Sequence, residues 1–212
     1  MRGTATVKNA APRADSTYLI SVEVANCSGR EIVEFILLEE LWQSLEIEIG
    51  DDVEEKLSMI DSYSTTTAAY LSACASFAYV QSSLKALHRK LLIKGFSKEA
   101  SGEAIDLIRR KGFVDESAIA HRRAELMVEK LWGRSRIIAK LYEEGFTAEV
   151  IGVVSAYLDE VDFAENCERA ICKKYPCLPS ERKERDKMYA SLLRLGYSSS
   201  DIRKAIASIM EK

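Results

Sequence analysis

Apolar residues follow two different periods along the chain. Between residues 18 and 37 they alternate in part with polar residues and include many β-branched side chains, so Tyr18–Val24 and Glu31–Leu37 are predicted strands joined by a turn at Asn26–Gly29. Thr4–Lys8 is a third predicted strand. From Thr66 onward the apolar positions recur at helical spacing, and no strand is predicted there.

Two short helices and a polar junction are predicted between the strands and the helical body. Glu39–Leu45 and Asp52–Ile60 predict helices on either side of a break at Gly50, and the acidic residues that open the second helix suit its N-terminal dipole. Ser62–Thr67 is polar, and we place the boundary between two domains there. Residues 1–64 are therefore predicted to form a small acidic N-terminal domain that contains a β-hairpin.

A glycine followed by an aromatic residue recurs about every fifty residues in the helical body. The three pairs are Gly95-Phe96, Gly145-Phe146 and Gly196-Tyr197, and each follows an apolar helical turn and precedes a Ser or Thr. Glycine takes a positive φ at a helix end without a Cβ penalty, and the hydroxyl residue can cap the next helix. Such a period predicts supersecondary units that stack on their neighbours.

This period predicts three tandem three-helix repeats. The predicted helices lie near 66–79, 82–93 and 98–111, near 115–130, 134–143 and 148–158, and near 160–174, 180–194 and 199–211. The corresponding domains are 65–112, 113–158 and 159–212. The predicted fold class is therefore mainly α, with three tandem three-helix repeats preceded by a small β-containing N-terminal domain.

Charge is distributed unevenly along the 212 residues, although the net charge is only −3. Residues 1–64 carry 5 Lys and Arg against 13 Asp and Glu, whereas residues 65–212 carry 25 against 20. A body with a net charge of +5 is too weakly basic to indicate strong binding to bare DNA. No apolar run approaches the length of a membrane span, no secretory signal is evident, and five cysteines fit reduced thiols, so we expect a cytoplasmic protein without a membrane partner.

Motifs of catalysis and metal binding are not evident in the sequence. There is no Gly-rich phosphate loop, no H-E-x-x-H and no nucleophile elbow, so we expect no enzyme, no catalytic residue and no cofactor. Cys167, Cys172 and Cys177 lack the C-x-x-C spacing of a zinc site, and no metal is expected. His121 and Glu125 lie four residues apart on a predicted helix, which favours a surface pair.

Basic clusters on the predicted helices are the remaining functional signal. A charge run is usually a solvated helix face, but clusters at similar places in successive repeats can line one surface that suits an acidic protein groove or a phosphate backbone. A general scaffold for unrelated proteins is a third interpretation. The candidate partner-binding residues are Arg109, Arg110, Lys111, Arg122, Arg123, Arg134, Arg136, Lys140, Lys173 and Lys174.

The order and spacing of several segments in the helical body resemble the RecX family of bacterial recombination regulators. These segments are Leu87–Phe96, Gly112–Glu116, Gly133–Phe146, Asp159-Glu160 with Phe163-Ala164, and Leu195–Tyr197. Together they cover residues 66–212. The N-terminal region, with Phe35–Leu37 and Ile49–Asp51, is similar to the extra β-containing segment of longer family members.

The resemblance implies an elongated, curved array of repeats that lies in the groove of the RecA–DNA filament. It also implies inhibition of ATP hydrolysis, strand exchange and co-protease activity, and hence a role in DNA repair and the SOS response. Some members of the family bind single- or double-stranded DNA, so the alternative is a helical-repeat DNA-binding protein that acts on nucleic acid directly. We expect a monomer.

Overall fold

The computed structural model describes residues 4–26 and 29–211, which form a three-stranded antiparallel sheet followed by ten α-helices. Cys27 and Ser28 of the predicted turn lie outside the described residues. The strands are β1 (Thr4–Pro12), β2 (Thr17–Asn26) and β3 (Gly29–Leu38). The helices are α1 (Glu39–Gln43), α2 (Leu57–Tyr79), α3 (Leu84–Ile93), α4 (Lys98–Arg110), α5 (Glu116–Glu129), α6 (Arg134–Glu144), α7 (Ala148–Glu160), α8 (Phe163–Lys174), α9 (Arg182–Arg194) and α10 (Ser199–Glu211), and a single 3-10 turn at Glu54–Lys56 precedes α2.

The described residues divide between two compact units. Residues 1–80 and 87–113 form the first unit, which contains the sheet, α1, α2 and α4. Residues 81–86 and 114–212 form the second unit, which contains α5 to α10. The helix α3 begins in the second unit and continues in the first.

All three predicted strands are confirmed, and they form a sheet in the order β1-β2-β3. One face of the sheet packs against the N-terminal part of α2 in a core to which Ile20, Phe35, Leu37 and Ile60 contribute. The segment 50–53 lies along the free side of β1 and exchanges backbone hydrogen bonds with it. The predicted helix at Glu39–Leu45 is confirmed as α1.

The polar segment Ser62–Thr67 is part of a helix, so the prediction of a junction there is wrong. α2 runs without a break from Leu57 to Tyr79, and the predicted helix at Asp52–Ile60 is its first turns preceded by the 3-10 turn. The hydroxyls in this segment bond to neighbouring elements: the Leu38 N–H donates to Thr67 Oγ1 at 2.9 Å, and Thr66 Oγ1 donates to Glu103 Oε2 at 2.8 Å. The segment is therefore helical although its composition is typical of loops, because its hydroxyls form hydrogen bonds with β3 and α4.

The boundary predicted after residue 64 consequently falls inside α2. The part of α2 before this point packs on the sheet, and the part after it packs against α4 in the same compact unit. Independent folding of residues 1–64 and 65–212 stays a prediction.

The three predicted helical repeats are confirmed. The first consists of α2, α3 and α4, the second of α5, α6 and α7, and the third of α8, α9 and α10. In every repeat the first helix packs against the third, and the largest fully buried side chains include Ile108, Leu158 and Ile202 from these third helices.

The second helix of each repeat ends in the same glycine motif. Gly95, Gly145 and Gly196 have φ angles of 92°, 93° and 94°. In each case the glycine N–H donates to the carbonyl three residues earlier, and the N–H of the following aromatic residue donates to the carbonyl five residues earlier. This pair of bonds is the Schellman motif, which satisfies carbonyls that the helix leaves without a partner.

The predicted N-terminal caps are also present. Ser97 and Thr147 accept a hydrogen bond from the N–H three residues later. Ser198 and Asp201 form a reciprocal capping box at the start of α10, in which the Asp201 N–H donates to Ser198 Oγ and the Ser198 N–H donates to Asp201 Oδ2. The glycine-aromatic-hydroxyl signature therefore ends one helix and begins the next in all three repeats.

Repeats two and three meet where the first turn of α6 contacts the last turn of α9. The Gly133 N–H donates to Leu195 O at 2.8 Å, and the N–H and hydroxyl of Ser135 both donate to Gly196 O, at 3.2 and 2.9 Å. Carbonyls at the end of α9 thus satisfy N–H groups at the start of α6 that have no partner within their own helix. The two backbones approach so closely that a Cβ at Gly133 would overlap the backbone of Gly196. We call this contact the α6–α9 joint.

Tyr197 adds a side-chain hydrogen bond to the α6–α9 joint. Its hydroxyl donates to Leu131 O at 2.8 Å, and Leu131 adopts a positive φ of 59° at the end of α5. Burial raises the pKa of the Tyr197 phenol, so the hydroxyl keeps the proton that it donates. The aromatic residue of the repeat signature therefore fixes the loop that leads into α6.

Replacement of Gly145 by valine should lower the free energy of unfolding by about 2 kcal/mol, because a β-branched residue is strained at positive φ. A Cβ here would also meet Ser83 Oγ at 3.0 Å and the Cβ of Lys85 at 3.1 Å. Thermal or urea unfolding measures the change. The matched control is Gly152→Val, at an exposed position of α7 with open space around its Cβ, and equal stability of the two variants would contradict the assignment.

Candidate partner-binding surface

The three candidate cations of the first unit lie at the end of α4, where positive charge suits the C-terminal helix dipole. Arg109 pairs with Asp106 at 2.6 Å. Lys111 pairs with Glu40 at 2.9 Å, and its Nζ lies 5.5 Å from the centroid of the Tyr70 ring. None of the described residues forms an ion pair with Arg110, which is exposed.

Arg109 and Arg110 border a cleft of about 570 Å³ in the first unit. The other residues that line it are Leu41, Tyr63, Thr66, Glu103, Asp106 and Leu107. Two carboxylates and two guanidinium groups thus line the cleft in equal number. The cleft has no excess of positive charge that would favour a phosphate backbone.

The two arginines of α5 have different environments. Arg122 is exposed and pairs with Glu125 at 3.1 Å, one helical turn away. Arg123 is half-buried, donates to the carbonyl of Gln81 at 3.1 Å and lies 4.0 Å from a carboxylate oxygen of Glu144. Arg123 therefore connects α5 to two other segments of the second unit, and Arg122 is the more accessible of the pair.

Arg134 borders a cleft of about 640 Å³ in the second unit. Its guanidinium donates to Asp159 Oδ1 at 2.7 Å. Asp162 and Asp201, which cap α8 and α10, face the same cleft, as does Lys204. Three carboxylates and two cations make this cleft slightly acidic, so it is a poor site for nucleic acid phosphates.

Arg136 and Lys140 also lie on α6. The Arg136 guanidinium carbon lies 3.9 Å from the centroid of the Trp132 ring, and its Cβ is next to Gly196 at the α6–α9 joint. Lys140 pairs with Glu143 at 3.1 Å. The stacking gives Arg136 a packing role, since a cation over an indole face is stabilising.

Lys173 and Lys174 occupy the last turn of α8. Lys174 donates to the hydroxyl of Ser191 at 3.0 Å and lies 5.4 Å from the ring centroid of Tyr175. Lys173 is exposed, and no described residue forms an ion pair with it. Within the described chain, the ten predicted cations thus form local groups whose charge is largely matched by carboxylates.

The sequence reasoning missed the carboxylate partners that are distant along the chain. Glu40 pairs with Lys111 and Asp159 with Arg134 across long separations, and only the fold reveals them. The carboxylate partners three residues away, such as Asp106 for Arg109, could have been predicted from helical spacing.

An exposed apolar side chain recurs in all three repeats and was also missed. It lies three residues before the capping glycine, where Leu92, Tyr142 and Leu193 are 41%, 52% and 44% exposed, while the preceding leucine is buried each time. The signal in the sequence is the pair of adjacent apolar residues in each closing turn, because neighbours on a helix cannot both face the core.

The other candidate sites have no metal-binding geometry. His121 Nδ1 lies 3.6 Å from Glu125 Oε1, which places the pair on one side of α5 as expected. Across residues 4–26 and 29–211, no group of three or more His, Cys, Asp or Glu side chains could hold a metal ion. Among the helices of this described portion, none is long and apolar enough to span a membrane.

Cys167 should be protected from alkylation in the native protein. It is buried on α8, and burial raises the pKa of its thiol to about 12, so thiolate is scarce at neutral pH. Cys172 and Cys177 are exposed. Iodoacetamide at about pH 8 should modify Cys172 and Cys177 at least ~100-fold faster than Cys167, and urea should remove the difference. Mass spectrometry of peptides measures each site; equal rates in the native protein would contradict the burial of Cys167.

These observations define a helical-repeat protein with a small N-terminal sheet and a surface of interspersed charges. Comparison with known proteins identifies it further. Residues 160–206 match the family model described as "RecX, third three-helix domain", which coincides with the third repeat. The chain belongs to the RecX family, since it is also 33% identical to a regulatory protein RecX of which it covers 75%.

Similar proteins cover more than this domain. The chain is 33% identical over 126 residues to the regulatory protein RecX of Pelodictyon phaeoclathratiforme, an alignment that covers 57% of this chain and 75% of that protein. It is 25% identical over 169 residues to the regulatory protein RecX of Clostridium botulinum, covering 77% and 79% of the two chains. A crystal structure of regulatory protein RecX has the same fold, with a TM-score of 0.73 at 18% identity, over 94% of this chain and 97% of that one.

Proposed function

We propose that this protein is a regulator of RecA that binds the RecA–DNA filament and inhibits its ATPase, strand-exchange and co-protease activities. Family membership carries the proposal, since the relatives from Pelodictyon phaeoclathratiforme and Clostridium botulinum, both named as regulatory proteins, align over 75% and 79% of their length. The RecX resemblance supplies RecA as the partner. Because RecA acts on chromosomal DNA, the proposal places the protein in the cytoplasm. The proposed binding needs no cofactor.

The proposed contact surface uses cations of the repeats that are exposed or, in the case of Lys140, half-buried. Arg109, Arg122 and Lys140 are held only by ion pairs with a carboxylate three residues away. Pairs of this kind contribute about 0–1 kcal/mol, so a carboxylate of the partner can replace the internal one at little cost. Arg110 and Lys173, which have no described ion pair, need no such exchange. These five residues are the preferred contacts among the ten candidates.

The recurring apolar residues complement these charges. Leu92, Tyr142 and Leu193 each occupy the same place in a repeat and are about half-exposed. Energetically important contacts are enriched in buried aromatic and apolar anchors surrounded by polar residues, and lone surface charges contribute less. A filament offers the same surface in every protomer, so a residue that recurs in every repeat suits it.

A protein bound across neighbouring RecA protomers would restrain their relative movement. ATP turnover requires movement of the protomers, and strand exchange requires duplex DNA to enter the filament. A protein that restrains this movement or blocks this access through one binding mode would therefore inhibit both activities. The interface would consist of many modest contacts, because the charges of this chain are distributed among several helices.

The test is DNA-dependent ATP hydrolysis by a RecA whose filaments are assembled on single-stranded DNA before this protein is added. We expect inhibition at a substoichiometric to equimolar ratio, at two salt concentrations, with DNA already saturated by RecA. Inhibition only when this protein precedes RecA on free DNA, with a steep salt dependence, would instead favour the DNA-binding alternative. No inhibition in either order would contradict the proposal.

A further inference from the structure

The strand β3 has a backbone edge that is bound at one end and open at the other. The Leu38 N–H donates to Thr67 Oγ1 at 2.9 Å and the Ile36 N–H to Ser64 Oγ at 3.4 Å, so both groups point away from β2. In an antiparallel strand, outward-pointing groups belong to every second residue. The N–H and C=O groups of Arg30, Ile32 and Glu34 therefore also point outward.

The outer side of these three residues is open to a further strand as far as the described residues show. Within the described chain, no residue accepts from or donates to the outward backbone groups of Arg30, Ile32 and Glu34. The opposite edge of the sheet differs, because segment 50–53 bonds to β1 there. Unpaired edge groups are a template for a further strand, and proteins usually cover or distort such an edge.

The open edge is complementary to a second copy of itself. If two β3 strands pair antiparallel about a two-fold axis through Ile32, Arg30 of one copy lies opposite Glu34 of the other, and the same pair forms again by symmetry. The two Ile32 side chains then lie opposite each other. Arg30 and Ile32 are 76% and 62% exposed. No described cation lies within ion-pair distance of Glu34, whereas Arg30 has only Glu23, at 3.6 Å.

We propose that two copies of this chain associate through Arg30–Glu34, which joins their sheets into one six-stranded antiparallel sheet. Opposite charges and apolar residues that face each other across strands are both stabilising, and like charges in the same places are destabilising. The interface is small, so the association depends on protein concentration, and the monomer expected from the sequence is the dilute form. This inference does not depend on the proposed regulation of RecA.

Charge reversal tests the proposed register. Sedimentation of the full chain over a concentration range of about 1–300 μM should show a reversible dimer, the regime of a small interface. Arg30→Glu and Glu34→Arg should each weaken dimerisation by about tenfold or more, because each places like charges opposite each other twice. The double variant Arg30→Glu/Glu34→Arg should restore it to within about threefold of the parent, because the pair is reversed and intact. A parent that stays monomeric, or a double variant no better than the single ones, would overturn the proposal.

A disulfide provides a second test that does not rely on charge. Residues directly opposite in a hydrogen-bonded pair have Cα atoms about 5.5 Å apart, which a disulfide can bridge. Ile32→Cys should therefore form a covalent dimer under mild oxidation, in a background where Cys27, Cys172 and Cys177 are serine. Glu34→Cys is the matched control, because the introduced thiols of two copies would be four residues out of register, about 13 Å apart. Equal cross-linking of the two variants would indicate random collision and contradict the register.

Discussion

Substitution of Gly133 by alanine should lower the free energy of unfolding of the second unit by about 3 kcal/mol, the cost of forcing extra volume into a closely packed contact. Gly133 has a φ of −79° and a ψ of 159°, angles that alanine adopts freely, so backbone strain does not contribute. The new methyl group would overlap the backbone of Gly196. Relief requires α6 and α9 to separate, which would lengthen the hydrogen bonds of Gly133 and Ser135 across the α6–α9 joint.

Urea unfolding followed by circular dichroism measures the effect, and Gly102→Ala is the matched control. Gly102 lies inside α4 with nothing within 4 Å of its Cβ, so the same substitution there should stabilise the protein by about 0.5–1 kcal/mol through helix propensity. If Gly133→Ala were as stable as the parent, the close contact at the α6–α9 joint would be wrong.

Reversal of four exposed cations should abolish inhibition of RecA. The variant changes Arg109, Arg110, Arg122 and Lys173 to glutamate, four of the five residues preferred in the proposed contact surface. We expect the concentration needed for half-inhibition of ATP hydrolysis to rise by about a hundredfold or more, because several contacts are lost and like charges are introduced. Any one alanine substitution should raise it only about threefold, since the contacts share the binding energy.

Reversal of four cations elsewhere in the chain distinguishes the effect of a specific contact surface from the effect of net charge. Arg182, Lys183, Arg185 and Lys187 are exposed at the start of α9, and changing all four to glutamate alters the net charge by the same amount. This control should keep at least about half of the inhibition, because its residues lie outside the proposed contact surface. Equal loss in both variants, with both still folded, would show that only overall charge matters.

The helices of the repeats were predictable because their local signals agree. Apolar spacing, a glycine at the end and a hydroxyl or acidic cap at the start all indicate the same boundaries, so α5 and α10 lie within a few residues of their predicted positions. The segment Ser62–Thr67 was not predictable, because its hydroxyls are typical of a loop until β3 and α4 supply partners for them. Tertiary bonds there override local propensity.

The candidate surface was predictable only as a list of residue types. The sequence identifies the cations, but the partner of Lys111 lies in α1 and that of Arg134 in α7. Which cations are free for a partner depends on these distant carboxylates. The stacking of Arg136 on Trp132 was also not predictable, because Trp132 precedes the extended N-cap Gly133 and helical spacing does not relate the two residues.

The three capping glycines share nearly one φ but have different surroundings. Around Gly95 the space for a Cβ is open, around Gly145 it contains side-chain atoms of Ser83 and Lys85, and around Gly196 it contains the backbone of Arg136 and Gly133. Asparagine or aspartate, which tolerate a left-handed conformation, could therefore replace the first glycine but not the third. Among homologues, the capping glycine should consequently be substituted at three different rates, most often at the position of Gly95 and least often at that of Gly196.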